Sequence, residues 1–579
     1  MNRLRPDRWL IAAIFVMLVG LTFRISGYPL LDPDEGRNAE VAREMASSND
    51  YVVPRLNELP YLDKPVLYFA AGAAAIEVFG PTEFAVRLPS LLFTLATLAL
   101  VGWFGWLSFG PAGGLIAAAA TGATPLTLAF ARTVIFDSAL TFFVVLSILC
   151  FFLAAEAPQR EAGTAQQRPG AWWTVVAWAA MACGTLTKGP IAIAIPLMVI
   201  APYLGWRRRW DAMWDLVGVL LFVAILLPWV LAMSRVVPDF LRYVLVTETV
   251  MRLTTDELQR TGPIWYFLPI LVTGAFPWSV ALFAAWKEGR ALRESSGQWD
   301  RHMMLFLLWV VVPLVFFSLS HSKRPQYLLP LIPAIGLLAA QVLTGSRMRV
   351  PTMKFAGLAL GAIGVVILFA NLIVGRLLDL NGAVMQAIPS TAVPLGAICI
   401  AAGAATYVAA HHTGVAVLAL CVPIASIPIV SSRLMDAIGS DRSARELSHA
   451  IERVLTDETD VVTVGAYPLS LPFYLRRTLI LSSTDGSELT SNFLTRTYSR
   501  WTGLRGSPLR PADWWLTVLA ECPRPTVFVV RSDDTRVRDA MRARAPLIME
   551  NRKFAAYGPC SRSDLATRRA LPERPEPAG

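Results

Sequence analysis

Charge is scarce in this chain. Asp, Glu, Lys and Arg make up 16% of its 579 residues against 55% hydrophobic, and the mean hydropathy is +0.51. That balance excludes a single soluble domain, whose surface needs more polar side chains than these. Cysteine and histidine are rarer still, at six and five residues, and they form no metal-type cluster in the sequence. Cys150, Cys183, Cys399 and Cys421 fall inside apolar runs and read as small packing residues. Cys522 and Cys560 lie in a polar C-terminal part, where they can pair if that part stands outside the cytoplasm. No internal repeat is strong enough to argue from.

What the chain has instead is long apolar runs. The first, Trp9–Gly27, is too long for a signal-peptide core and lacks a small-residue cleavage site, so it reads as a retained span. Further runs lie near 64–80, 87–108, 112–131, 138–155, 171–187, 189–205, 214–233, 263–286, 302–320, 326–344, 353–376, 391–411 and 414–431. Runs of about 17 to 25 residues suffice to cross a hydrocarbon core of about 30 Å as helices. The short run 64–80 carries Glu77; laid at the interface, it leaves thirteen spans. Arg3, Arg5 and Arg8 then share the cytoplasmic side with Arg160, Arg168, Arg207–Arg209, Lys287–Arg301 and Arg347–Lys354. The net charge of +10 is therefore a topology signal, and nucleic acid is not needed to explain it.

The expected fold is a polytopic α-helical membrane protein with about 13 transmembrane helices over residues 1–431, followed by a soluble α/β domain over 432–579. In that domain a helix is expected at Ser443–Leu455, strands at 461–468, 478–483 and 525–530, and a second polar helix near Thr535–Arg544. The tail ALPERPEPAG reads as disordered, and the loop 234–262 as an amphipathic helix on the membrane surface. The same parity gathers the external loop of about 28–86, the Arg132–Asp137 turn, Lys188, the loop 234–262 and His321–Gln326 on the non-cytoplasmic face. Polar groups converging at one mouth of a helical bundle mark a candidate site.

The densest of these stretches is Leu31–Pro65, LDPDEGRNAEVAREMASSNDYVVPRLNELPYLDKP. Ionisable groups are costly at a membrane, so this polar island needs a reason to exist. A carboxylate there can serve as a general base, and cations can hold a phosphate leaving group. Asp34 suits the first role; Arg37, Lys64, Lys188, Arg260 and Lys323 suit the second. Plainer roles compete. Asp32 is expected to cap the helix that follows, and Arg43 and Glu44 to form a solvated face. Asp137 sits where it favours a helix dipole, and Lys188 is as well explained as an interfacial lysine.

The series DPDEGRNAEVAREM, YLDKPVLYF, EFAVRLPSLL, ARTVIFDSALTFF, LTKGP, RTGPIWYFLPILVTGAFPW and SLSHSKRPQYLLPLIP resembles the GT-C superfamily of lipid-phosphate-sugar glycosyltransferases. It is most similar to bacterial lipid A aminoarabinose transferases and to protein O-mannosyltransferase-like enzymes, over roughly residues 9–345. The resemblance implies an inverting transferase of the bacterial inner membrane that uses undecaprenyl-phosphate sugar on the periplasmic side. Asp34 matches the family's essential carboxylate and Arg37 its following arginine. Lys64 and Arg260 match its lipid-phosphate contacts, Asp137 its second acidic position, Lys188 the Thr-Lys-Gly-Pro lysine, and Lys323 with Tyr327 the later lysine-to-tyrosine motif. A divalent metal ion at Asp63 is compatible with such a family, and nothing in the sequence requires one. Asp63 stands where the aminoarabinose enzymes usually have Glu, and Asn38 where they have Tyr, which leaves the sugar open. The acceptor is a glycolipid, glycan or protein, with membrane lipids around it. A polyprenyl-phosphate flippase is the non-enzymatic alternative, but a transporter should carry its charges near mid-membrane, and these gather at one face.

Overall fold

The computed structural model describes residues 7–158, 170–244, 246, 262–296, 299–345, 347–377 and 381–560. Two compact units divide the chain. One comprises Met1–Gly27, Lys64–Ala71 and Phe84–Met435; the other comprises Tyr28–Asp63, Gly72–Glu83 and Asp436–Gly579.

The first unit is helical. Among the described residues, eight helices are long and apolar enough to cross a membrane: Glu83–Gly122, Asp137–Glu156, Trp210–Val236, Arg301–Leu319, Pro325–Gly345, Arg349–Val374, Gly382–Val408 and Thr413–Val430. The difference from thirteen has identifiable sources. The 40-residue stretch Glu83–Gly122 is two helices meeting at Gly110, whose φ of 83° no helix contains. The apolar run 263–286 is broken into Phe267–Gly274 and Val280–Ser296. Arg8–Thr22 and Ile191–Arg207 are apolar but shorter, and Ala171–Lys188 ends in a lysine. Leu67–Phe79 has 13 residues, about 20 Å of helix, too little for a hydrocarbon core of about 30 Å.

Small residues let these helices approach closely, since lipid supplies no hydrophobic drive between them. A Cβ on Gly357 would meet the Gly403 carbonyl at 2.6 Å, and one on Gly403 the Gly357 carbonyl at 2.6 Å. The buried Arg132 finishes the helix Arg8–Thr22 by donating to the carbonyls of Gly20, Leu21 and Arg24 at 3.0 to 3.3 Å. The last carbonyls of a helix have no N–H ahead of them within it, and a buried guanidinium can bond several at once.

The second unit is built on a six-stranded sheet. Its strands are β3 (Asp460–Val464), β4 (Ile480–Ser482), β5 (Leu509–Arg510), β6 (Thr526–Arg531), β7 (Leu547–Glu550) and β8 (Phe554–Cys560), in the order β5-β4-β3-β6-β8-β7. The pairs β5-β4, β4-β3 and β3-β6 are parallel, whereas β8 runs antiparallel to both β6 and β7. Val462 sits between Ile480 and Phe528, so the three apolar runs read from sequence form the sheet centre. Helices Arg445–Glu452 and Thr535–Arg542 appear where expected. Strands β5, β7 and β8 and the helix Trp514–Glu521 were not foreseen. β5 has two residues, and β8 carries Gly558-Pro559, which reads as a turn. Cys522 and Cys560 form a disulfide that ties the end of that helix to the end of β8. The tail from 561 and most of the loop 234–262 lie outside the described residues.

The same unit holds the polar island as far as Asp63. The helix Asp34–Ser48 leads to a hairpin of β1 (Arg55–Leu56) and β2 (Leu59–Pro60), whose turn residues Asn57 and Glu58 have φ of 56° and 63°. Two left-handed residues make the turn that matches strand twist. Asn57 then pairs its side-chain amide with the Leu479 backbone, accepting at 2.9 Å and donating at 2.8 Å, just ahead of β4.

Candidate active site

Good helix formers fill most of Asp34–Ser48, and Asp34 and Glu35 place negative charge in its first turn, at the positive end of the helix dipole. Arg37, one turn on, donates to Asp34 Oδ1 at 2.6 Å. Its Nη1 donates to the Thr490 carbonyl at 3.2 Å and to Thr490 Oγ1 at 2.8 Å, and the guanidinium lies 5.9 Å from the Tyr61 ring centre. The arginine side chain is 11% exposed and the carboxylate 35%, so the cation is fixed while the acid stays reachable. Burial works against the charge on Arg37, yet Tyr61, Asp34 and Asp63 together hold it above the usual arginine range.

Asp63 is placed by the backbone. Its Oδ2 accepts the Asn492 N–H at 3.0 Å and its Oδ1 the Phe493 N–H at 3.2 Å, at the start of the short helix Asn492–Arg496. Both carboxylate oxygens thus accept amide N–H bonds, and the Arg37 charge lies close by. Among the described residues, no three His, Cys, Asp or Glu side chains form a metal-holding group. Lys64 follows, half-buried, in the bend that leads to Leu67–Phe79.

Three of the plainer readings need correction. Asp32 does not cap the helix: Pro33 occupies the cap position without a side-chain bond, and Asp32 Oδ2 instead accepts from the Ser470 hydroxyl at 3.0 Å. Arg43 and Glu44 are not a solvated face. Arg43 pairs with the fully buried Glu40 at 2.6 Å, and Glu44, 6% exposed, accepts the N–H groups of Asn57 and Glu58 at 2.5 and 2.8 Å. Glu44 therefore holds the hairpin turn against the helix.

Burial first, then repulsion from Glu40, pushes the Glu44 carboxyl from 4.5 up to about 8. An acid raised in the folded state contributes stability in full below 4.5 and loses it as pH rises through about 8. Glu44→Gln is expected to melt higher than the wild type at pH 9, and thermal unfolding of the two proteins at pH 6 and pH 9 checks it. The loss amounts to on the order of 1 kcal/mol per pH unit across that window.

The helical unit holds the other candidates. Asp137, 1% exposed, opens the helix Asp137–Glu156 and pairs with Lys188, the last residue of Ala171–Lys188. Lys188 Nζ also lies 5.2 Å from the centre of the Tyr327 ring. Lys323 Nζ donates to the carbonyls of Ser318 and Ser320, both at 2.8 Å, closing the end of Arg301–Leu319. It stands 5.7 Å from the Phe267 ring centre, and Phe267 and Phe317 pack against Tyr327. Asp137, Lys188 and Tyr327 thus meet directly, with Lys323 one aromatic layer away. Arg260 lies outside the described residues.

Sequence reading missed Tyr61, Thr490 and Ser470. Thr490 is 453 residues from Arg37, and no local pattern announces such a contact.

Comparison with known proteins fits this geometry. The profile of the family described as dolichyl-phosphate-mannose-protein mannosyltransferase matches residues 36–244. An undecaprenyl phosphate-alpha-4-amino-4-deoxy-L-arabinose arabinosyl transferase from Yersinia enterocolitica is 30% identical over 386 residues, 65% of this chain and 66% of that one. One from Proteus mirabilis is 31% identical over 386 residues, 64% of this chain and 66% of that one. The crystal structure of ArnT from Cupriavidus metallidurans bound to undecaprenyl phosphate superposes with a TM-score of 0.80 at 25% identity, covering 96% of this chain and 97% of that one. Fold, motif order and these likenesses together make the chain a multi-pass membrane protein of the GT-C superfamily, built like the aminoarabinose transferases.

Proposed function

We propose that this protein is an inverting glycosyltransferase that moves a sugar from undecaprenyl phosphate to an envelope glycolipid such as lipid A. The observation that carries this reading is the likeness, over 96% of the chain, to a transferase bound to undecaprenyl phosphate. Asp34 takes the proton of the acceptor O–H as that oxygen attacks the anomeric carbon. The bond from that carbon to the lipid phosphate breaks, and undecaprenyl phosphate leaves with the electron pair. Arg37 holds the Asp34 carboxylate in place, and Lys64, Lys188, Arg260 and Lys323 supply positive charge toward the leaving phosphate. Asp137 orients Lys188, and Tyr327 packs beside it.

Reaction on the periplasmic face is supported by the arginine distribution and by the Cys522–Cys560 disulfide, which suits an oxidising compartment. Membranes carrying the protein, given undecaprenyl phosphate-aminoarabinose and lipid A, are expected to transfer the sugar. Transfer of a sugar to protein and none to lipid A would favour the mannosyltransferase reading instead. Lys64→Ala is expected to raise the donor KM about tenfold or more, the cost of one charged hydrogen bond, with a smaller change in kcat. Steady-state kinetics against donor concentration measures the split.

A further inference from the structure

The helix that presents Asp34 begins without a side-chain cap, so something else must fix its first turn. The Asp32 N–H donates to the Arg442 carbonyl at 2.8 Å, and the Leu31 N–H to Glu35 Oε2 at 3.0 Å. Ser470 Oγ donates to Asp32 Oδ2 at 3.0 Å while accepting the Ala444 N–H at 2.9 Å. Gly36 makes this contact sterically feasible. A Cβ there would fall 2.1 Å from Asp32 Oδ1 and 2.6 and 2.8 Å from the Ser470 backbone N and Cα. The Asp32 side chain can swing away from such a clash, but the Ser470 backbone cannot without moving the loop. The Asp32 carboxyl is fully enclosed, and both the hydroxyl and the backbone of Ser470 bear on it. All these residues belong to the unit built on the C-terminal sheet.

We infer that Asp32, Gly36 and Ser470 form a clasp through which the C-terminal domain positions Asp34 for the reaction. Asp32 and Ser470 are positioning residues: neither is given a part in the chemistry, and both act through the carboxylate two residues on from Asp32. The inference rests on the reading of Asp34 as the base. It assigns the C-terminal domain a task in the reaction itself.

The clasp has a built-in response to pH. Burial raises the Asp32 carboxyl from 3.8 to about 7, against the pull of the Ser470 hydrogen bonds and the Lys553 charge and with a push from Glu35. Those are the charged groups bearing on it. Below that pH the neutral acid suits its buried place. Above it the carboxylate carries a charge that its burial disfavours, and the clasp is loaded.

The test uses the full-length protein in membranes, with undecaprenyl phosphate-aminoarabinose and lipid A, and compares wild type with Asp32→Ala, Asp32→Asn, Ser470→Ala and Gly36→Ala. Asp32→Ala, Ser470→Ala and Gly36→Ala are expected to lower kcat by about 10- to 100-fold, the range that misplacement by about 1 Å causes, with donor KM changed less than about threefold. Asp32→Asn keeps an acceptor for Ser470 and loses the charge. Its rate is expected to hold between pH 6.5 and pH 8.5 where the wild-type rate falls. Hydrogen exchange over residues 31–40 should speed up in Asp32→Ala and Ser470→Ala. Unchanged kcat together with unchanged exchange would overturn the clasp, as would identical pH profiles for wild type and Asp32→Asn. An inactive wild type with faster exchange in these variants would leave the clasp standing and reject the proposed reaction.

Discussion

Asp34→Asn is expected to slow sugar transfer by about 10²- to 10⁴-fold, the usual contribution of a general base. The substitution keeps the size and one hydrogen-bond acceptor, so the Arg37 contact at 2.6 Å has a neutral partner in place of a charged one. Arg37 retains its bonds to Thr490 and its position over Tyr61, which limits collapse of the site. Donor affinity should therefore change little while kcat falls, the signature of an interaction made only in the transition state. Single-turnover transfer with saturating donor measures it. A normal rate in Asp34→Asn would remove Asp34 from the mechanism.

The second large effect concerns Asp137 and Lys188. Their side chains are 2% and 12% exposed, and each is the other's charge partner at facing helix ends. Removing one partner of a buried pair strands a charge, and about 3 to 5 kcal/mol of stability is expected to be lost in Asp137→Ala or Lys188→Met alone. The double variant Asp137→Leu/Lys188→Met leaves no stranded charge and should recover most of that loss. If Lys188 also holds the donor phosphate, the double variant stays impaired in donor binding while its melting temperature returns. Thermal unfolding in detergent and donor KM, measured on all three variants, separate the structural part from the binding part. Full recovery of both would leave the pair a structural one.

How much of this was legible in the sequence depended on distance along the chain. Hydrophobic runs are local, so most helices of the membrane unit were visible, and the break at Gly110 also lay between two separately read runs. The central strands β3, β4 and β6 were equally plain, because a buried parallel strand is a continuous apolar run. Asp34 and Arg37 stood out through the density of charge in Leu31–Pro65 and through the family motif they match. The surroundings of these residues did not. The burial of Arg43 and Glu44 comes from Glu40 and from a hairpin 13 residues further on, so a polar helix face read as solvated. Asp32 looked like a helix cap because its local sequence allows it, yet its partner Ser470 is 438 residues away. Local chemistry singled out the candidate groups, and long-range packing decided what holds them.

The measurement that tests the central claim most directly is mass spectrometry of lipid A from three strains: one with the gene, one without it, and one carrying Asp34→Asn. The account predicts a sugar-sized mass increment on lipid A that is present with the wild-type gene and absent from both other strains. An increment that persists with Asp34→Asn, or lipid A identical in all three strains, would contradict it.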